Sequence, residues 1–303
     1  MNASTPRALE LETVEAPFAQ WLAHELERFE ARAHAELPTT QRPPHRLHEA
    51  IRYAALGGGK RVRPLLVYGA GACVRAGAHA PVLDSAALAV EFVHVYSLIH
   101  DDLPCMDDDD FRRGQPTLHK KFAEYIAVLA GDSLHALAFE LLAESGNCEV
   151  VTEVSRAIGT VGMIGGQVRD VQAEGRAVTL NDVENIHKRK TAALITASVK
   201  IGAMLANAPV AQVRMLEQFG GNLGLAFQIV DDILDVEGDF ERLGKSVGSD
   251  DRLAKATYPK VVGLDASKRI AADLIADAKA ALNGFSGREV FWQLADYILA
   301  RET

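Results

Sequence analysis

"AALAVEFVHVYSLIHDDLPCMDDDDFRRGQPT", Ala86 to Thr117, joins two incompatible kinds of sequence. From Ala86 to His100 it is almost wholly apolar, the composition of a helix buried on every side. Six aspartates then fall between Asp101 and Asp110, with Arg112 and Arg113 close behind. Carboxylates so crowded repel one another unless cations separate them. A core helix that ends this way faces something that brings positive charge. Pro104 stops the helix, and the turn after it can return Asp107 towards Asp101.

A second acidic set answers the first. "FQIVDDILDVEGD" places Asp231, Asp232 and Asp235 at the end of another apolar helix, with Asp231 and Asp235 four apart on one face. One such pair is most simply a solvated helix end. Two sets, each following an apolar helix and far apart in sequence, suit a hard divalent cation held between a few carboxylates and a phosphate.

The basic residues supply the counterpart. Lys60 and Arg63 follow a triple glycine at a helix start, where backbone N–H groups favour an anion. This is not a Walker A loop: Ala54 stands where its first glycine belongs, and Arg61 replaces the Ser/Thr. His94 lies two turns before Asp101 on the same stripe and can donate to phosphate. Arg112 and Arg113 offer planar forks. "IHKRKT" presents Lys190 and Thr191, and the loop 238–257 presents Lys245 and Lys255.

Outward from these motifs the chain reads as helix throughout. Alanine and leucine abound, prolines number 11, and no window shows strand alternation. Residues 1–16 read as a loose tail, Pro17 opens a helix, and 17–303 reads as one all-α domain of ten or more helices. Further helical stretches are expected over 121–144, 149–171, 181–206, 210–236, 258–282 and 289–301. The net charge of −9 argues against nonspecific nucleic-acid binding. Three widely spaced cysteines imply no disulfide framework and a reducing, cytoplasmic setting. No membrane span is expected, because His94, His100 and the aspartates interrupt the best candidate, and the N-terminus shows no apolar export core.

Taken in order, "GGKRVRP", "EFVHVYSLIHDDLPCMDDDDFRRGQPT", "AGDSL", "GGQVRD", "IHKRKT", "FQIVDDILD" and "LGKSVGSDDRLAKATYP" resemble the trans-polyprenyl diphosphate synthases, most of all the bacterial farnesyl diphosphate synthase branch. The resemblance runs from about residue 45 to the C-terminus. It implies an all-α bundle around a central cavity, usually a homodimer. It implies Mg²⁺, three ions per site with Mn²⁺ able to substitute, on Asp101, Asp107, Asp231 and Asp235. Lys60, Arg63, His94 and Arg113 would hold isopentenyl diphosphate. Arg112, Lys190, Thr191, Gln228, Lys245 and Lys255 would hold an allylic diphosphate, with Arg112, Lys190 and Lys245 stabilising its departing diphosphate. Arg169 departs from the pattern, standing where an apolar residue is expected.

Tyr96 and Ser97 precede Asp101 by about 6–8 Å along the helix, at 1.5 Å per residue. A growing apolar tail would point there, and a tyrosine would make its floor. With the spacer "LPCM" this resembles the C15 pattern, although C20 synthases share that spacer. A terpene cyclase would want a different second metal motif, and a metal phosphohydrolase would want further histidines. A non-catalytic regulatory subunit would be expected to have lost an aspartate set.

Overall fold

The computed structural model describes residues 16–75, 81–237 and 255–299. Helix α1 (Ala16–Glu36) buries Phe18, Leu22, Phe29 and Ala33 along one stripe. The rest of the expected tail lies outside the described residues. Next come α2 (His45–Ala55), α3 (Val62–Val74) and α4 (Pro81–Asp101). As its composition requires, α4 is buried nearly all round, and it packs on α1, α2, α3, α6 (Glu124–Ala143) and α10 (Ala193–Leu205). Phe92, Leu88, Val93 and Tyr96 of α4 join Leu134, Ala138 and Leu141 of α6 in one core cluster.

A second cluster lies between α3, α10, the long α11 (Val210–Glu237) and α14 (Arg288–Leu299), around Leu66, Val199, Phe219 and Phe291. The remaining helices are α5 (Leu118–Lys121), α7 (Cys148–Ile158), α8 (Met163–Ala173), α9 (Leu180–His187), α12 (Tyr258–Val262) and α13 (Leu264–Ala281).

Several of the expected helical stretches are divided. The 149–171 helix divides at Gly159–Gly162 into α7 and α8, and Gly263 separates α12 from α13. Asn147 caps α7 through Glu149 N, and a Thr179–Asp182 capping box starts α9. Between α9 and α10 the turn Lys188–Ala192 is π-helical, an arrangement common at functional sites. One small feature lies outside the all-helical reading. Phe111–Arg112 (β1) and Gln115–Pro116 (β2) pair as a two-residue antiparallel ribbon, too short to show alternation in sequence.

Two of the described helices bear on the membrane expectation. Both α4 and α6 are long and apolar enough to cross a membrane by length and composition alone. Within its most apolar window α4 is 72% buried in the protein and α6 44%. Packing accounts for the first; the second keeps an exposed apolar face at Tyr125, Val128 and Leu129.

Candidate active site

Pro104 ends α4 as its chemistry requires, and the spacer folds back as a tight turn. Met106 N donates to Leu103 O (2.8 Å), and Asp107 N donates to Asp101 O (2.9 Å). This brings Asp107 beside Asp101. Burial, with Asp107 and Asp102 adding to it, pushes the Asp101 carboxyl up to about 6, against the pull of Lys190 and Arg112.

The ribbon explains why two adjacent arginines diverge. Arg113 (φ 53°) and Gly114 (φ 71°) form its turn, both left-handed, as a tight hairpin demands. Arg112, within β1, sends Nε and Nη2 to Asp102 Oδ1 at 2.7 and 2.6 Å, with Asp109 3.6 Å from Nη2. Arg113 instead donates to Gly58 O. A Cβ on Gly59 would lie 2.7 Å from the Arg113 guanidinium carbon, so only glycine lets that fork lie down here.

The triple-glycine turn is the second wall. Arg61, at φ 49°, is left-handed without being glycine, at a cost of about 1–2 kcal/mol. Its neighbour Lys60 is half-buried and Arg63 is buried. His94 is held well below the ordinary imidazole value, first by burial and then by Arg63, Arg113, Arg112 and Arg61. A neutral ring keeps one N–H to donate. Burial, with Arg61 and Arg112 nearby, lowers Arg113 as well.

The third wall is the π turn. Gly166 of α8 brings its backbone so close that a Cβ would sit 2.3 Å from Lys190 N. Lys190 Nζ reaches Asp170 Oδ2 at 2.7 Å. Lys255 Nζ lies 2.7 Å from Glu174 Oε1 and 3.2 Å from both Asp107 and Asp170. Despite its burial, Asp170 is held below the usual carboxylate range by Lys190 and Lys255. Thr191 Oγ1 donates to Gln228 Oε1 (2.8 Å), and Gln228 Nε2 to Asp232 Oδ1 (3.3 Å). Asp232 Oδ2 lies 2.8 Å from His187 Nε2 and accepts from Tyr258 N at 2.9 Å.

Asp101, Asp107, Arg112, Lys190 and Lys255 are thus brought together, Thr191 and Gln228 meet, and Arg63, Arg113 and His94 form a separate group. Asp231 and Asp235 lie one turn apart on α11, beyond Gln228. Lys245 lies outside the described residues. Among the described residues no three His, Cys, Asp or Glu side chains converge to hold a metal ion unaided. The donor set fits a cation shared with substrate phosphate, which needs only one or two carboxylates.

With this geometry in hand, comparison with known proteins is decisive. The profile of one family, Polyprenyl synthetase, matches residues 44–283. The chain belongs to the polyprenyl synthetase family. Within it, the farnesyl diphosphate synthase of Escherichia coli K12 is 46% identical over 266 residues, covering 84% of this chain and 88% of that protein. The chloroplastic geranylgeranyl pyrophosphate synthase of Capsicum annuum is 48% identical over 269 residues, covering 86% and 72%. The structure of Helicobacter pylori geranyltransferase complexed with magnesium and isoprenyl diphosphate aligns at TM-score 0.80 and 31% identity, covering 96% and 98%.

On this polyprenyl synthetase, Tyr96 is buried and stacks on His135 of α6 (4.8 Å between centroids), which meets Phe139 edge-on. The buried Tyr96 hydroxyl finds no hydrogen-bond partner among the described residues. Ser97 turns its hydroxyl back to His94 O (2.8 Å). Arg169 is exposed on α8, next to the buried Asp170, so its charge points away from the lysines. Sequence reasoning missed Asp170, although it quoted the "GGQVRD" that holds it. It also missed Arg61, Glu91, His135 and His187, which carry no spacing signal of their own.

Proposed function

We propose that this trans-prenyltransferase condenses isopentenyl diphosphate with dimethylallyl or geranyl diphosphate, giving farnesyl diphosphate and diphosphate. The observation that carries the C15 reading is the Tyr96 ring, stacked on His135 five residues before Asp101. In this reading, Asp101, Asp107, Asp231 and Asp235 hold Mg²⁺. When bound, the ions add positive charge to the allylic diphosphate.

Arg112, Lys190, Thr191, Gln228, Lys245 and Lys255 orient that diphosphate. Arg112, Lys190 and Lys245 stabilise the charge that develops as the carbon–oxygen bond breaks. Lys60, Arg63, Arg113 and neutral His94 hold isopentenyl diphosphate so that its double bond attacks the allylic cation. The proton then lost passes to the departed diphosphate, so no protein base is required. The apolar cores of α4 and α6 keep water from the cation.

The C20 alternative is supported by the 48% identity to a geranylgeranyl pyrophosphate synthase and by the spacer that C20 synthases share. Chromatography of products from isopentenyl diphosphate with each allylic starter separates the two. Farnesyl diphosphate from geranyl diphosphate is expected; accumulation of C20 instead overturns the C15 assignment.

We read 17–303 as one helical unit centred on α4, working as a homodimer in the cytoplasm. The exposed Tyr125, Val128 and Leu129 of α6 support a self-association face. The three unpaired cysteines support a reducing compartment. Sedimentation of the purified protein tests the dimer.

A further inference from the structure

We infer that the buried Arg61–Glu91 pair positions the pocket that takes a diphosphate without metal, which makes both of them positioning residues for isopentenyl diphosphate. The inference rests on the assignment of Lys60, Arg63, His94 and Arg113 to that substrate.

Arg61 cannot touch a substrate, because its side chain is only 1% exposed. Its whole guanidinium is spent on the protein. Nε reaches Glu30 Oε1 of α1 (2.7 Å), Nη1 reaches Glu91 Oε1 of α4 (3.0 Å), and Nη2 reaches Ala55 O at the end of α2 (3.0 Å). Its carbon lies over the Phe29 ring at 5.1 Å. These ties hold the backbone of Arg61 left-handed between Lys60 and the first turn of α3, which carries Arg63. A strained non-glycine conformation persists only where its surroundings over-determine it. Three glycines precede it, so a glycine here would have relaxed the turn. The arginine fixes it instead.

Glu91 acts on the same pocket electrostatically. It is 2% exposed and stands three residues before His94 on α4, so the two side chains are neighbours. Arg61, Arg63, Arg112 and Arg113 all act on His94, and Glu91 acts on Arg113. Its carboxylate lies behind this arginine group, bound to Arg61. It offsets repulsion among the arginines gathered around the neutral His94. Lysine-side cations lack this arrangement, since carboxylates cap them directly.

The test is a rate matrix over both diphosphates with Glu91→Gln, Arg61→Gly and, as reference, Arg113→Ala. Glu91→Gln keeps the shape and removes the charge; Arg61→Gly permits the left-handed backbone without strain and removes the ties that hold it. Each should raise KM for isopentenyl diphosphate about tenfold, with KM for the allylic substrate within about twofold. Glu30→Gln, at a half-exposed partner, should raise it only about twofold. Metal-free calorimetry with inorganic pyrophosphate should show the same order of weakening. If Glu91→Gln fails to fold, Arg61→Gly carries the same comparison. A lowered melting temperature with an unchanged KM for isopentenyl diphosphate, or equal rises in both KM values, overturns the inference. If Arg113→Ala also leaves that KM unchanged, the substrate assignment itself falls and the inference with it.

Discussion

Two walls of the site hold positive charge in opposite ways. Around His94 the arginines cluster, and the carboxylates Glu91 and Glu30 lie behind them on Arg61. Around Asp170 each lysine meets carboxylates head-on, Lys190 on Asp170 and Lys255 on Asp107, Asp170 and Glu174. On the reading proposed above, the first wall, with its carboxylates set behind Arg61, takes a bare anion. The second holds more carboxylates than lysines, which suits an anion that arrives with metal ions of its own. The difference teaches that cation count alone does not define a diphosphate pocket; the position of the counter-charges does.

The largest effect should come from the acidic side. Asp101→Ala and Asp231→Ala should each cost several orders of magnitude in turnover, leaving helical circular dichroism unchanged. Near-normal turnover in either variant would dissolve the contrast between a metal-bridged wall and a bare one. The two arginines sharpen it next. Arg112→Ala should lower kcat about 10²-fold by weakening allylic ionisation, whereas Arg113→Ala should chiefly raise KM for isopentenyl diphosphate. Identical kinetic signatures would mean that the ribbon does not separate the substrates.

Asp170→Asn leaves Lys190 and Lys255 short of a buried partner and should destabilise the fold by about 2 kcal/mol at pH 7. Because the folded protein holds Asp170 below its ordinary value, the stabilisation is complete above about pH 4 and fades as pH falls through the lower folded value. Denaturant titrations of both proteins down the pH scale should therefore show the gap closing only in acid. A gap that closes between pH 7 and 5 would point to another group.

Asp101 has the opposite sign. Its folded value, about 6, lies above the ordinary 3.8, so the metal-free protein loses stability as pH rises through that interval. Asp101→Asn should raise metal-free stability by about 1 kcal/mol at pH 7.5, with a smaller gain at pH 5. Melting curves in chelator would expose any other order. The gentlest change is at the floor. Tyr96→Ala should shift products towards C20 and longer, whereas Tyr96→Phe, which loses a hydroxyl that has no partner among the described residues, should leave them unaltered. An active Tyr96→Ala enzyme that still makes only C15 would place the floor elsewhere.

Much of the site was legible because its signals are local. Asp101, Asp107, Arg112 and Arg113 lie within 13 residues, and the Pro104 turn follows from backbone chemistry. Asp231 and Asp235 show the helical four-residue spacing. What could not be read is what depends on partners distant in sequence. Glu91 gains its meaning from Arg61, 30 residues away, and His187 from Asp232, 45 away. The π turn stayed hidden because Lys188–Ala192 is chemically ordinary helix sequence. Ribbon pairing hid for a different reason: two residues cannot show a period of two.

That ribbon makes the spacing around "RRG" intolerant of insertion. With strands of two residues there is no slack to absorb an added one, and a slip of one place would exchange Arg112 for Arg113. The fork now on Asp102 would swing to the glycine turn, and its neighbour would take its place among the acids. Length variation among relatives should therefore collect before Asp107, in the spacer, and stop short of the hairpin.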